Sequence, residues 1–287
     1  MIASLYPELP VWWTVAALFL FGLCIGSFLN VVIHRLPLMI GSDELVVPDN
    51  RDNRETFWRH ANLVTPRSAC TRCNTPLAMY DNIPLISYLL LAGKCRYCKT
   101  PISVQYPVVE LAAGVLTLAA FHVSPNLPLA IATTLFCYGL LALTVIDLNT
   151  YLLPDLLTLP LMWMGLIVNQ FYFFTEPGSA VFGAVIGYIS LWLLYHGFKL
   201  LTGKEGLGYG DFKLLAALGA WLGWQALLLV ILLSSVVGAV IGGLYLAISK
   251  RGREHPIPFG PFLAGAGLLA LFFGEDLTQY YLQFLRF

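Results

Sequence analysis

The sequence predicts an all-α polytopic membrane protein, with about eight transmembrane helices and a cytoplasmic four-cysteine module between the first and the second. Three observations carry that prediction. The 287 residues are 58% apolar and 11% charged, with a mean hydropathy of +0.76, whereas about a quarter of an ordinary soluble domain is charged. The apolar residues gather into segments near the length, about 20 residues, that a helix needs to cross roughly 30 Å of hydrocarbon. One long hydrophilic stretch interrupts them and holds two Cys-x-x-Cys pairs. Basic and acidic residues balance at 16 each, which argues against a nucleic-acid-binding surface or an acidic disordered tail.

The first span is expected at 11–33. Its leading flank, Met1 to Pro10, holds Glu8 and no Lys or Arg, and no small-residue cleavage site follows. A secretory signal needs a basic start, so the segment is expected to remain as a span. Further spans are expected near 103–121, 128–146, 156–174, 178–198, 212–223, 226–248 and 259–274. The run from Leu214 to Ser249 is too long for one helix and is divided at Gly223-Trp224-Gln225, where a tight hairpin is plausible. Residues 275–287 either extend the last helix or lie at the interface.

Charge then orients the chain. With the N-terminus outside, the inner segments hold fifteen of the sixteen basic residues. Arg35, Arg51, Arg54, Arg59, Arg67, Arg72, Lys94, Arg96 and Lys99 come first, then Lys199, Lys204 and Lys213, then Lys250, Arg251 and Arg253, leaving Arg286 outside. The positive-inside rule therefore favours both termini on the outer side, with the loop at 147–155 placed inside by its neighbours. The expected organisation is a first transmembrane helix at 1–35, a cytoplasmic cysteine module at 36–101 and a seven-helix membrane domain at 102–287.

Within that module the stretch from Gly41 to Arg59 is polar. After it, Cys70-Thr71-Arg72-Cys73 and Cys95-Arg96-Tyr97-Cys98 are separated by 21 residues. Two close pairs at this separation suit a four-thiolate zinc site, each turn aiming two sulfurs at one edge of a tetrahedron. The other readings are disulfides or free thiols. A cytoplasmic loop keeps thiols reduced, which favours the metal, and four protein ligands leave no open position, so the metal is structural. Cys24 and Cys137 lie in spans and read as small core residues.

Asp147 directly follows the apolar run from Gly139 to Ile146 and opens a short connection ending in Leu153-Pro154-Asp155. Asp211 closes Gly208-Tyr209-Gly210-Asp211 and opens another apolar run. Two carboxylates brought together in a partly dry site share a proton. One acid can then activate a water while the other protonates a leaving amine. A bland alternative stays open for Asp211, which is suited to capping the helix that follows. Asp155 reads as an acid complementing a helix start just after Pro154. Lys213 lies two residues from Asp211, a spacing at which helical side chains do not face each other. Gly206-Leu207-Gly208-Tyr209-Gly210 lacks the strand–helix context of a nucleotide loop. No His-Glu-x-x-His and no Gly-x-Ser-x-Gly occurs, and His34, His60, His122, His196 and His255 are scattered singly.

The GxGD at 208–211, the Asp147 to Asp155 loop, the paired cysteines and Gly26-Ser27-Phe28-Leu29-Asn30-Val31-Val32-Ile33-His34-Arg35-Leu36-Pro37 together resemble the bacterial type IV prepilin peptidases, from about residue 22 to 262. The GxGD element alone is shared with presenilin-like proteases. The resemblance implies a bifunctional enzyme of the inner membrane. It implies cleavage of the short basic leader of type IV prepilins and type II secretion pseudopilins at the cytoplasmic face, then methylation of the new N-terminus with S-adenosylmethionine. It places Asp147 and Asp211 as the catalytic pair and Cys70, Cys73, Cys95 and Cys98 as zinc ligands. For methyl transfer it directs attention to the module and its flanks, with Gly93, Lys94 and Glu110 as candidates. Glu110 reads equally as a polar group paired to another helix. Two alternatives stand beside this reading: a GxGD membrane protease without methyl transfer, and a non-catalytic zinc-containing membrane assembly protein. Its expected partners are the prepilins and pseudopilins and the lipid bilayer, with no nucleic acid.

Overall fold

Each of the expected apolar segments holds a helix. The computed structural model describes residues 10–40, 62–204, 206–248 and 257–285. The long helices are α1 (Val11–Ile40), α2 (Gln105–Val123), α3 (Leu127–Thr150), α4 (Asp155–Asn169), α5 (Pro177–Thr202), α6 (Tyr209–Leu222), α7 (Trp224–Ile248) and α8 (Gly260–Leu285). Among the described residues, α1, α2, α3, α5 and α7 are long and apolar enough to cross a membrane. The polar stretch at 41–59 with Arg51, Arg54 and Arg59, together with Met1 to Glu8, His60, His255, Lys250, Arg251, Arg253 and Arg286, lies outside the described residues.

Several ends differ from the hydropathy boundaries. Helix α1 continues through Pro37 to Ile40. The segment expected at 156–174 stops at Asn169. The tail after 274 continues α8 as helix. The break between α6 and α7 is Gly223 alone, at φ +83°, with Trp224 already helical. Pro107, Pro128, Pro177 and Pro261 all sit in first turns, where the missing N–H has no intrahelical partner to lose.

The chain packs as two compact units, Met1–Ala142 and Leu143–Phe287. In the first, α1 and α2 run antiparallel at backbone contact. A Cβ on Gly22 would meet Gly114 Cα at 2.8 Å, and one on Gly26 would meet Glu110 Cα at 2.6 Å. One turn further on, Asn30 Nδ2 donates to the Tyr106 carbonyl at 3.1 Å. Small residues at a four-residue spacing thus let the two backbones meet without intervening side chains.

The second unit is built around α6. Asp211, Phe212 and every residue from Leu214 to Trp221 are buried, the pattern of a helix enclosed on all sides. Helix α5 approaches it through Gly183, against the Gly219 carbonyl, and Gly187, against the Leu215 carbonyl. Helix α4 offers Gly165 to the Trp221 indole, whose Nε1 donates to the Leu161 carbonyl at 2.7 Å. Asn169 ties off the far end of α6. Its Nδ2 donates to the Ala220 and Trp221 carbonyls at 2.8 and 2.9 Å, and its Oδ1 accepts the Phe174 and Thr175 amides at 3.0 and 3.2 Å. Those carbonyls are among the four that a helix end leaves without partners. With 14 residues, α6 is about 21 Å long.

Candidate active site

Asp147 and Asp211 are both buried, at 4% and 6% exposure, and both belong to the second unit. Asp147 does not begin a loop, as the hydropathy boundary suggested. It lies in the last turn of α3, which ends when Tyr151 adopts φ +57° and its amide closes on the Asp147 carbonyl at 2.9 Å. Asp211 is the third residue of α6, and its Oδ2 accepts the Gly208 amide at 3.1 Å. The capping role left open for Asp211 is therefore present, and it uses one carboxylate oxygen.

Asp147 is tethered in the same way. Its Oδ2 accepts the amide of Gly260, the first residue of α8, at 3.0 Å. Each acid is thus oriented by one glycine N–H at the start of a helix, where the partial positive charge favours an anion. Leu153 packs against both Gly210 and Gly260. A Cβ on Gly210 would meet its Cβ at 2.6 Å, and one on Gly260 would meet its Cδ1 at 3.2 Å and Asp147 Oδ2 at 2.6 Å. The two carboxylates lie within electrostatic reach of each other. Lys213 is engaged elsewhere, its Nζ lying 2.6 and 2.7 Å from the two carboxylate oxygens of Asp155. Asp155 starts α4, as expected for an acid there, and also ties α4 to α6. Gly260 escaped sequence reasoning; its signal is its place in Pro258-Phe259-Gly260-Pro261.

The four cysteines converge in the first unit. Their sulfurs all lie within 4.8 Å of one another, with Cys70 and Cys98 Sγ 3.8 Å apart. Zn–S bonds of about 2.3 Å set tetrahedral edges of about 3.8 Å, so the donor set fits a structural zinc ion. The two pairs sit in matching turns that extend past the second cysteine. Each reads Cys-x-x-Cys-x-Thr-Pro. In each, the first cysteine amide bonds the threonine carbonyl, Thr75 at 3.0 Å and Thr100 at 2.8 Å. The residue after each second cysteine, Asn74 or Lys99, has φ +55° or +59°, and the threonine hydroxyls lie 3.2 and 3.3 Å from Cys73 and Cys98 Sγ. Thr100 brings the Cys98 thiol down to about 6, and Thr75 lowers that of Cys73. Burial pushes Cys70 up to about 12. A coordinated cation is what deprotonates a buried thiol such as Cys70.

A cavity of about 720 Å³ opens between α1, this module and the start of α2, all within the first unit. Glu110 lines it, and its Oε2 accepts the amide of Leu85 at 2.8 Å. Gly93 and Lys94 do not line it. Gly93, at φ +66°, packs on Tyr88, which does, and Lys94 bridges to Pro101 beside the second cysteine turn. The second acid on the wall, Asp81, is paired with Arg96 at 2.8 Å. Buried Arg35 spans from α1 to the module, donating to the Asn62 and Pro66 carbonyls at 2.7 and 2.8 Å.

Residues 20–123 match the Bacterial Peptidase A24 N-terminal domain, and residues 134–243 match the Type IV leader peptidase family. The prepilin leader peptidase/N-methyltransferase of Aeromonas hydrophila is 52% identical over 286 residues, covering 98% of this chain and 98% of its own. Its counterpart from Pseudomonas aeruginosa is 50% identical over 275 residues, covering 93% of each chain. That from Burkholderia pseudomallei is 46% identical over 287 residues, covering 96% of this chain and 90% of its own. No solved structure matches. With both family regions matched and close relatives aligned end to end, the chain belongs to the type IV leader peptidase family.

Proposed function

We infer that this protein is a prepilin leader peptidase and N-methyltransferase, which removes the leader of prepilins and then methylates the new N-terminal amine. The peptidase half is carried by one observation: two buried carboxylates, each held through one oxygen by a backbone amide and within electrostatic reach of the other. In the mechanism, one of Asp147 and Asp211 is ionised and draws a proton from a water as its oxygen attacks the scissile carbonyl. The other is protonated and gives its proton to the carbonyl oxygen. Collapse of the tetrahedral species expels the amine, which takes the proton held by the first acid, while one hydroxyl of that species returns its proton to the second acid as the new carboxyl group forms. The pair titrates as a unit, so the roles belong to the dyad rather than to either residue.

The finer reading places the chain in the inner membrane with about eight spans, both termini periplasmic and the cysteine module at 36–101 cytoplasmic. The support is the asymmetric distribution of basic residues. A prepilin or pseudopilin with a basic leader inside and an apolar helix in the bilayer then presents its cleavage site at the inner interface, where water is available. Cys70, Cys73, Cys95 and Cys98 hold a structural zinc ion that ties the two turns together. S-adenosylmethionine supplies the methyl group, as an electrophile at its sulfonium. Gly93, Lys94 and Glu110 are assigned to the methyl-transfer region, Glu110 on the cavity wall and Gly93 beneath Tyr88.

Purified enzyme and a purified prepilin test this reading. Asp147→Ala and Asp211→Ala, made separately, are each expected to lower cleavage by roughly a thousandfold or more, as removal of one member of a catalytic unit does. Full cleavage by either variant would remove the pair as the catalyst. Weighing the product formed with S-adenosylmethionine should reveal one added methyl group, and an unmodified N-terminus would leave a peptidase alone.

A further inference from the structure

Asn30 is 5% exposed and lies on the cavity wall. Its Nδ2 is fixed by the Tyr106 carbonyl, which settles the orientation of the amide. Its Oδ1 is buried and has no hydrogen-bond partner. An acceptor left in this state costs about 1–3 kcal/mol, so such groups in native proteins call for an explanation, a ligand among them. Glu110 stands one turn along α2 from Tyr106, and Gly26, one turn before Asn30, packs on the Glu110 backbone. With Asp81 taken by Arg96, the wall keeps the Asn30 amide, whose Oδ1 lacks a partner, and the Glu110 carboxylate, which also bonds the Leu85 amide and the Ser27 side chain.

We propose that this cavity is the methyl-donor pocket, in which Asn30 Oδ1 and the Glu110 carboxylate receive the α-ammonium group of S-adenosylmethionine. The assignment rests on the methyltransferase reading above and names the site for its donor. The volume of about 720 Å³ falls within the range of small-molecule sites, and Phe28, Tyr88 and Tyr106 line the walls for an adenine ring. The amine of a mature pilin is a second source of the same chemistry. A carboxylate beside an acceptor oxygen favours a protonated amine, and a protonated amine has no lone pair with which to attack a methyl group. The occupant is therefore the donor's ammonium, which takes no part in the transfer.

Equilibrium binding of S-adenosylhomocysteine to the purified full-length protein tests this, with melting temperature and zinc content as controls of folding. Asn30→Leu and Glu110→Gln should each weaken binding roughly ten- to hundredfold, the range for hydrogen bonds to a charged group. Because both groups hold one ligand atom, the double variant should lose less than the product of the two. The des-amino analogue of S-adenosylhomocysteine needs no folded variant. It should bind the unaltered protein more weakly by a similar factor, and Asn30→Leu should not weaken it further. Unchanged affinity in both variants, or equal affinity for the two ligands, overturns the proposal. Unchanged donor affinity with a raised KM for a mature, unmethylated peptide overturns it in favour of the pilin amine. An unaltered enzyme that cleaves and never methylates would instead sink the reading on which the proposal rests.

Discussion

Gly260→Ala is the sharpest test of how Asp147 is held. The added methyl would sit 2.6 Å from Asp147 Oδ2, 3.2 Å from its Cγ and 3.2 Å from Leu153 Cδ1. Ordinary non-bonded contacts lie near 3.5 Å, so the carboxylate must retreat by about 0.5–1 Å. The backbone amide survives the substitution, but its bond to Asp147, now 3.0 Å, would be stretched to the edge of a useful hydrogen bond. Misplacement of a catalytic group on this scale costs roughly a hundredfold in rate. The loss should fall on kcat, with KM little changed, and overpacking should cost stability by about 1–3 kcal/mol. The assay is leader removal from a purified prepilin, followed by gel mobility, beside a melting curve. Gly265→Ala serves as the control, because a Cβ there meets nothing within 4 Å on the same helix. Methyl transfer to a mature, unmethylated peptide should persist in Gly260→Ala, since no atom displaced by the new methyl lines the cavity of the first unit. Wild-type kcat in a folded Gly260→Ala enzyme would refute the idea that this tether orients the acid.

Elemental analysis should find about one zinc per chain, and Cys70→Ser or prolonged chelation should lower it and impair methyl transfer more than cleavage; undiminished metal in Cys70→Ser would remove that cysteine from the ligand set. Acid should release the metal by returning the thiolates to thiols, and zinc retention at low pH would argue against a thiolate site. Asn169→Leu strips partners from the Ala220 and Trp221 carbonyls and from two amides, so the melting temperature should fall by the equivalent of about 1–3 kcal/mol. Lys213→Ala removes an ion pair in which Lys213 and Asp155 side chains are 27% and 55% exposed, and at most about 1 kcal/mol of stability should go with it; a collapse of folding would show that the pair carries more than its exposure suggests.

The apolar segments were legible because burial in lipid or protein demands the same side chains along a whole turn. Their ends were not, because a polar residue does not stop a helix. The hydropathy of α3 ends at Ile146, yet the helix continues through Asp147, Leu148, Asn149 and Thr150 until Tyr151 turns left-handed. The reverse holds at α4, where Phe171, Tyr172, Phe173 and Phe174 read as span but follow the helix end at Asn169. The two acids stood out by their cost in an apolar context. Their tethers did not, because Gly208 and Gly260 act through backbone amides that carry no side-chain signature. The cysteine turns were visible in four letters, while the three that follow each pair are equally structural. Asn30 lay in plain sight inside an apolar run, and only its half-satisfied amide marks it as more than a helix contact.

Helix α6 carries Asp211 but shows almost none of its surface outside the protein. A rod of about 21 Å exposed to lipid would thin the surrounding bilayer or tilt its neighbours to relieve hydrophobic mismatch. Enclosed by α4, α5, α7 and α8, it has no lipid boundary on which such elastic forces can act. Its depth is set by the Gly183 and Gly187 contacts and by Asn169. The aspartate is thus indexed to protein rather than to acyl chain length, whereas α7 leaves most of its apolar surface uncovered by the described protein.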